Sequence, residues 1–212
     1  DGKTITNVTQ DLLELGMIVP IGRVSRGVGR PREILELNPD FGYALGIDLG
    51  ASHISGVCVN FCGVITARSR CSIEYGLPPQ EVLERVIAIG LPLMNGLKKS
   101  QKRVLGAGVC VPGTIDNEAG IGIWAANLLG WRQVPLRQPL EEALQSPVFF
   151  EESTRSAALG EMFARIREPL QNFLLLDLSQ GIGAAIVQNG QLYYGHSGIA
   201  GEIGHTTVKP DG

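Results

Sequence analysis

Two dissimilar segments adjoin near the start of this chain, and few architectures join segments of these two kinds. Residues 22–37 are rich in glycine and carry four closely spaced arginines: Arg23, Arg26, Arg30 and Arg32. Residues 43–52 are an apolar run that ends in an Asp-x-Gly turn. The first segment predicts a basic loop followed by a strand, and the second predicts the first strand and turn of an α/β layer.

Composition limits the remaining choices. The chain has 212 residues, of which 44% are hydrophobic and 18% charged, so it can form one large domain or two small ones. The net charge of -3 does not indicate nucleic acid, so any DNA affinity must come from a local patch. No apolar run is long enough to indicate a membrane span. The four cysteines lack metal-site spacing, which favours buried thiols in a reducing cytoplasm.

Residues 4–16 are predicted to form a helix. An apolar stripe at spacings of three and four supports this, and Gly16 is a suitable stop. Thr4, Thr6 and Asn7 are small and polar, so they can form hydrogen bonds with base edges from the start of a recognition helix. The alternative is a surface helix whose threonines are caps.

The basic loop favours the DNA-binding interpretation of that helix. Arg26, Arg30 and Arg32 follow a possible strand, and the narrow Gly-Arg-Pro segment around Arg30 can lay an arginine in a minor groove. A solvated basic loop is the alternative. The order helix, strand, basic loop, strand describes a winged helix-turn-helix whose earlier helices are absent. We therefore predict a partial winged helix-turn-helix over residues 1–38, with a turn at residues 38–40 as the boundary.

The rest of the chain predicts an α/β layer. The strand over residues 104–111 is continuous and apolar, as expected of a strand buried on both faces. Asn189 and Gly190 predict a hairpin turn. The further predicted strands cover residues 43–48, 54–59, 64–68, 148–150, 174–178, 184–188 and 191–194, and the helices cover residues 79–97, 134–144 and 153–165.

The turn after the first of these strands has a composition suited to phosphate. Residues 46–53 place Asp48 at a strand end and Gly50 in the turn, with Ser52 following. Backbone N–H groups in such a turn can hold phosphate, and Asp48 can hold Mg²⁺ through water. By itself this signal is weak, because Asp-x-Gly is common at strand ends.

A series of short motifs in one order resembles the ROK family. They are Gly46-Ile-Asp-Leu-Gly50, Val111-Pro-Gly113, Asn127-Leu-Leu-Gly-Trp131, Ser156-Ala-Ala-Leu-Gly-Glu161, Gly181-Ile-Gly183 and Gly201-Glu-Ile-Gly-His205. The resemblance covers essentially the whole chain. That family contains bacterial sugar kinases and sugar-responsive repressors of the NagC and XylR type, and the N-terminal helix and Gly-Arg-Pro loop resemble the repressors.

The resemblance implies an actin-like (ribonuclease H-like) ATPase fold with a sugar between two lobes. Residues 39–150 would form the first lobe, and residues 151–212 would begin an incomplete second lobe in a chain truncated at both ends. Glu202 and His205 match positions that contact sugar hydroxyls. His205 also matches the first ligand of a structural zinc site, whose cysteines would lie beyond Gly212. Zinc prefers a closed four-ligand set, so we expect no complete site in this chain and no certain cofactor.

The chain departs from the kinase pattern at the position of the catalytic general base. Family kinases carry an Asn-Asp pair, with the Asp as general base, where this chain has Glu152 and Ser153. A serine is not a base near neutral pH without an activator. The next family asparagine is Arg155, a cation predicted at the sugar position.

The phosphate loops are altered as well. Ala51, Ser52 and His53 stand in the first loop, and Ser179-Gln180 precede Gly181 and Gly183 in the second. We therefore interpret Asp48, Gly50, Ser52, Gly181 and Gly183 as remnants, and Glu152 as a sugar contact.

These features predict a DNA-binding regulator, most simply a repressor of sugar genes that has lost kinase activity. Its expected partners are operator DNA, a sugar or sugar derivative, and further copies of itself. One alternative is an ATP-dependent sugar kinase with Glu152 as a displaced base. Another is a structural relic that serves only in oligomerisation.

Overall fold

The computed structural model describes residues 2–25 and 32–209, an α/β molecule with two main sheets. The helices are α1 (Gly2–Glu14), α2 (Pro79–Lys99), α3 (Arg137–Leu144) and α4 (Ser153–Ala164). The strands are β1 (Ile18–Val24), β2 (Arg32–Leu37), β3 (Tyr43–Leu49), β4 (His53–Asn60), β5 (Ile65–Ser72), β6 (Val104–Val111), β7 (Thr114–Asp116), β8 (Ile121–Trp124), β9 (Arg132–Pro135), β10 (Val148–Glu152), β11 (Phe173–Leu178), β12 (Ile182–Gln188) and β13 (Gln191–Leu192). A short 3-10 turn covers Ile203–His205.

The N-terminal unit is α1 followed by the antiparallel hairpin β1–β2. The helix ends before Gly16, whose φ of +73° suits glycine, and this confirms the predicted stop. Ile18 pairs with Leu37 at one end of the hairpin, and Val24 pairs with Arg32 at the other. The side chain of Asn38 donates a hydrogen bond of 2.9 Å to the carbonyl oxygen of Gly16, which ties the end of α1 to the predicted boundary turn.

The first sheet has five strands in the order β10-β6-β3-β4-β5. Strands β3, β6 and β10 are parallel, while β4 and β5 run antiparallel to their neighbours. Helices α2 and α3 cover one face, where the core residues of β3 alternate with more exposed ones. Gly56 allows α2 to approach closely, because an added Cβ would lie 2.7 Å from a carbon of Ile89.

Two predictions for this part of the chain are wrong. Strand β6 is not buried on both faces along its length, because Leu105 is 40% exposed and Gly108 is also exposed, whereas Ala107, Val109 and Val111 are buried. Residues 134–144 are not one helix. Val134 belongs to β9, where it pairs with Gly122, and α3 begins only at Arg137. The small sheet β7-β8-β9 was not predicted, since strands of three and four residues carry little periodic signal.

The second sheet is the antiparallel set β11-β12-β13, and α4 packs on one face of it. The predicted hairpin turn is confirmed, because Asn189 and Gly190 have φ values of +53° and +71°. A small core of Ala158, Ala185 and Val187 joins the sheet to the helix. In the part of the chain that the structure describes, no helix is long and apolar enough to cross a membrane. The unit boundaries at residues 38 and 150 stay predictions.

Candidate functional site

A cleft of about 460 Å³ lies between the two main sheets. Because β3, β6 and β10 are parallel, their carboxyl ends meet at one edge of the first sheet and form one wall. The β11–β12 turn and the segment before His205 form the other wall. All eight predicted cleft residues line it: Asp48, Gly50, Ser52, Glu152, Gly181, Gly183, Glu202 and His205.

The two phosphate loops contact each other at the side of the cleft. The Gln180 side chain donates a hydrogen bond of 3.0 Å to Ser52 Oγ, and the two residues are 128 positions apart in the chain. Ser52 Oγ also lies 3.5 Å from His53 Nδ1. Ser52, His53 and Gln180 are all departures from the kinase pattern. The unusual residues of the two loops therefore bridge the gap between them.

Two carboxylates face the cleft near these loops, and only one was predicted. Burial raises the pKa of Asp48 above its usual range, with the nearby charge of Asp177 adding to the rise. His53, whose Nε2 lies 3.8 Å from Asp48 Oδ2, acts in the opposite direction. Asp177 lies on β11 and lines the same cleft. This pair makes one end of the cleft acidic, and Mg²⁺ binding by Asp48 stays a prediction.

Glu152 lies in the cleft wall and also caps α4. One of its carboxylate oxygens accepts the backbone N–H of Thr154 at 2.8 Å, and the other accepts that of Arg155 at 3.0 Å. The residue is 9% exposed. Helix N-termini leave N–H groups without partners, and an anion there satisfies both the bonds and the helix dipole. The structure thus gives this carboxylate a structural role, and Ser153 follows it as the first helical residue.

Arg155, which was predicted as a cation at the sugar position, does not line the cleft. Its side chain is 4% exposed. Its Nε donates to Glu151 Oε1 at 2.8 Å, and its guanidinium reaches the carbonyl oxygen of Gly198 at 3.1 Å. The cation is therefore held behind the wall.

Glu202, His205 and Trp124 line the cleft together, and Trp124 lies beside His205. His205 Nε2 lies 3.8 Å from Glu202 Oε2, and the ring centroids of His205 and Trp124 are 6.4 Å apart. Trp124 is 41% exposed, and sequence reasoning missed it because it lies in the unpredicted strand β8. The glycine before Glu202 is required by space, since a Cβ on Gly201 would lie 1.8 Å from the carbonyl oxygen of Ala184.

The residues described do not complete a zinc site around His205. Across residues 2–25 and 32–209, no group of three or more His, Cys, Asp or Glu side chains is arranged to hold a metal ion. All four cysteines are unpaired, and Cys58 is buried. The histidine alone does not fit a metal that prefers four ligands, so no chemistry of this chain is assigned to zinc.

The predicted DNA-binding residues lie on the N-terminal unit, away from the cleft. Thr4, Thr6 and Asn7 are exposed in the first turns of α1, and Arg32 is exposed where β2 begins. Arg26 and Arg30 lie outside the described residues. The structure therefore brings a polar helix start and an exposed cation together on one small unit.

Comparison with known proteins establishes the family. The family model described as "ROK family" matches residues 44–212. The chain belongs to the ROK family. It is 31% identical over 206 residues to a xylose repressor of Caldicellulosiruptor bescii, a match that covers 97% of this chain and 51% of the relative. It is 41% identical over 119 residues to a glucokinase of Halalkalibacterium halodurans, which covers 56% of this chain and 36% of that enzyme.

A solved structure supports the actin-like ROK fold. A ROK family transcriptional regulator described as a homolog of the Escherichia coli MLC protein superposes with a TM-score of 0.77 at 23% identity. That similarity covers 100% of this chain and 53% of the regulator. The chain spans about half the length of the curated relatives it matches.

Proposed function

We propose that this chain is the DNA-binding and sugar-sensing part of a transcriptional repressor of sugar genes. One observation carries the proposal: the xylose repressor match covers 97% of the chain, whereas two glucokinase matches cover 56% and 79% of it. The ROK family model itself begins only at residue 44. The N-terminal unit before that point is therefore what this chain shares with the repressors.

The geometry of that unit supports a partial winged helix-turn-helix over residues 1–38. Thr4, Thr6 and Asn7 lie on the first turns of α1, where recognition helices contact base edges. The β1–β2 hairpin is the proposed wing. Arg32 begins β2, and Arg26 and Arg30 fall between the two strands in the sequence. Such proteins read two half-sites as dimers, so further copies of the chain are proposed partners.

The cleft is the proposed sugar site. Carboxylates and imidazoles form hydrogen bonds with sugar hydroxyls, and Glu202 and His205 supply both along one wall. Trp124 adds an apolar aromatic face beside His205, on which a sugar ring can pack. Glu152 also lines the cleft, but its two oxygens already accept backbone N–H groups. We therefore assign it a secondary role in sugar contact.

Loss of kinase activity is part of the proposal. A general base needs a carboxylate within reach of the sugar hydroxyl, and the family position holds Ser153 instead. Glu152 caps α4, and the Ser52–Gln180 bond joins the two loops that would otherwise hold phosphates. The kinase alternative predicts ADP release that needs both sugar and the Glu152 carboxylate. If neither the unmodified protein nor Glu152→Gln releases ADP in the presence of sugar, the result would support the repressor proposal.

Helix α4 is a candidate route between the cleft and the DNA-binding unit. It begins in the cleft wall at Ser153 and runs for 12 residues, about 18 Å at 1.5 Å per residue. Near its end, Phe163 lies so close to Gly63 that an added Cβ would be 2.5 Å from the ring. Gly63 lies in the turn between β4 and β5. The neighbouring residue of that turn contacts the N-terminal unit, because Cys62 Sγ lies 3.7 Å from the carbonyl oxygen of Leu37.

Phe163→Ala tests this route. We expect the variant to bind sugar and DNA separately with unchanged affinity but to lose the effect of sugar on DNA binding. Phe149→Ala is a matched control, since Phe149 is 65% exposed on β10 and does not line the cleft. Sugar-dependent DNA binding that survives in Phe163→Ala would refute this route.

Selection from fragmented genomic DNA at fixed, moderate salt tests the proposed function itself. We expect a few discrete sites to be retained, and the salt must be fixed because non-specific phosphate contacts otherwise dominate. Arg30→Ala with Arg32→Ala should then abolish the retention of those sites. The control is Arg68→Ala with Arg132→Ala, which removes the same charge from exposed strands elsewhere. Equal loss in both double variants would show a general charge effect and refute the wing.

A further inference from the structure

A partly buried ionic cluster lies behind the cleft wall, and neither the family motifs nor the proposed function accounts for it. It consists of Glu151 on β10, Arg155 on α4, and Tyr194 just after β13. The Glu151 and Arg155 side chains are only 12% and 4% exposed, and Tyr194 is 38% exposed. We call these three residues the clasp.

Each member of the clasp contacts both others. Arg155 Nε donates to one Glu151 oxygen at 2.8 Å, and the Tyr194 hydroxyl donates to the other at 2.7 Å. The guanidinium of Arg155 lies over the Tyr194 ring, 5.3 Å from its centroid. Asn117 adds a hydrogen bond of 3.2 Å to Glu151 from the small sheet. The carboxylate thus joins three separate parts of the chain.

The electrostatics agree with this geometry. Burial acts to raise the pKa of Glu151, but hydrogen bonds from Arg155 and Tyr194 outweigh it, and the pKa lies below the usual range. Burial and the bond to Glu151 together raise the pKa of Tyr194 to about 12. Both groups therefore hold their bonded forms, an ionised carboxylate and a neutral phenol, over a wide range of pH.

The clasp holds a segment that has little structure of its own. Residues 195–201 contain three glycines with positive φ, Gly195, Gly198 and Gly201, and form no strand or helix. Glycines restrict the backbone least, so such a segment costs more entropy to order than others. Arg155 donates to the carbonyl oxygen of Gly198 at 3.1 Å, and Tyr194 anchors the start of the segment.

The end of that segment is the cleft wall. Gly201 accepts the backbone N–H of Ala184 at 2.9 Å, and Glu202 follows it directly. We propose that Arg155, Glu151 and Tyr194 are positioning residues, which fix residues 194–201 to α4 and so place Glu202 and His205 in the cleft. Buried ion pairs add little net stability but specify one arrangement in some proteins, which is the role assigned here. The identity of the cleft's ligand as a sugar rests on the proposed function. The positioning role of the clasp does not.

Quenching of tryptophan emission by His205 tests the clasp without any ligand. An imidazole that lies close to an indole quenches its emission, and the His205 ring lies 6.4 Å from that of Trp124. At one fixed pH, His205→Ala should therefore raise the emission, and the difference between the two proteins is the quenching amplitude. If the unmodified protein shows no quenching that depends on His205, then His205 does not lie beside Trp124 as the clasp requires, and the proposal fails.

The clasp variants are Arg155→Met and Tyr194→Phe, with Arg155→Lys as the conservative replacement. We expect Arg155→Met to lose most of the quenching amplitude, Tyr194→Phe to lose part, and Arg155→Lys to regain part. Arg165→Met is the matched control, because Arg165, the residue that follows α4, pairs with Glu161 at the same i,i+4 spacing but is 53% exposed. The control should keep the full amplitude.

These outcomes separate the clasp from a merely stabilising ion pair. Full quenching in folded Arg155→Met and Tyr194→Phe would overturn the proposal, whatever their thermal stability. If Arg155→Met does not fold, Tyr194→Phe decides alone, since it keeps the ring and removes one hydrogen bond.

Sugar affinity, measured across a panel of sugars, is a test separate from the fluorescence. With a sugar that binds, we expect Kd to rise about tenfold in Arg155→Met, a coupling of ordinary size, and to stay unchanged in Arg165→Met. An unchanged Kd in Arg155→Met would count against the clasp, whereas no binding of any sugar by the unmodified protein would refute the sugar site and leave the fluorescence result standing.

Discussion

Replacing Glu152 with alanine tests whether this carboxylate is a helix cap or a reactive group. In the structure its two oxygens accept the N–H groups of Thr154 and Arg155 at 2.8 and 3.0 Å, and the residue is 9% exposed. Alanine would leave both donors at the start of α4 without a partner, in a place that water reaches poorly. The change therefore removes two hydrogen bonds and one favourable charge at a helix N-terminus.

The expected loss of unfolding free energy has two parts, one from the lost capping hydrogen bonds and one from the lost charge. Loss of an N-cap side chain destabilises a protein by about 1 kcal/mol. Loss of the carboxylate at the positive end of the helix dipole adds about 1 kcal/mol in a partly buried setting. We expect Glu152→Ala to lower the free energy of unfolding by about 2 kcal/mol in total. Glu152→Ser keeps a capping oxygen but not the charge, so about 1 kcal/mol of loss should remain.

Urea unfolding followed by circular dichroism measures both variants. Glu118→Ala is the control, because Glu118 is exposed in a turn and its removal should leave the unfolding free energy unchanged within about 0.5 kcal/mol. If Glu152→Ala costs no more than the control, the cap is not the reason for the glutamate. A more stable alanine variant would indicate a strained functional carboxylate, and the kinase alternative would then regain weight.

Two further predictions concern the second half of the chain. Gly201→Ala should cost about 1–3 kcal/mol more in unfolding free energy than Gly198→Ala, because both have positive φ but only the first brings a Cβ to 1.8 Å from the Ala184 oxygen. Equal costs in urea unfolding would show that the segment moves freely. In the second prediction, absorbance at high pH should show Tyr194 ionising at about 12, as its pKa indicates. Because the pKa is raised on folding, the stabilisation is present below the ordinary tyrosine pKa of about 10 and is lost as pH rises through 12. Glu151→Gln should move the midpoint back towards 10, and an unmoved midpoint would contradict the hydrogen bond.

Much of the fold could be predicted because its signals are local. The apolar stripe of α1, the apolar run of β3 and the turn glycines Gly16 and Gly190 each act within a few residues of themselves. The order of the short motifs then led to the ROK family, and the family model confirmed it. That family also supplied the cleft residues, since no single motif would have brought Asp48 and His205 together.

The tertiary structure alone decided what the cleft residues contact. The sequence placed Glu152 and Ser153 at the family's base position, but only the folded chain reveals that Glu152 caps α4. The sequence also predicted Arg155 at the sugar position, whereas in the structure Glu151 and the carbonyl oxygen of Gly198 bind that cation behind the cleft wall. Such contacts depend on residues tens of positions apart, and no local pattern encodes them.

The same reason separates what the sequence determined from what it did not. Periodicity, turn residues and motif order determined most of the secondary structure, the family and the candidate cleft, because each of these signals lies in neighbouring positions of the chain. The strand that carries Trp124 and the bond from Gln180 to Ser52 arose only when distant segments packed together. The free energy of those contacts depends on burial and distance in the folded chain, which neighbouring residues do not specify.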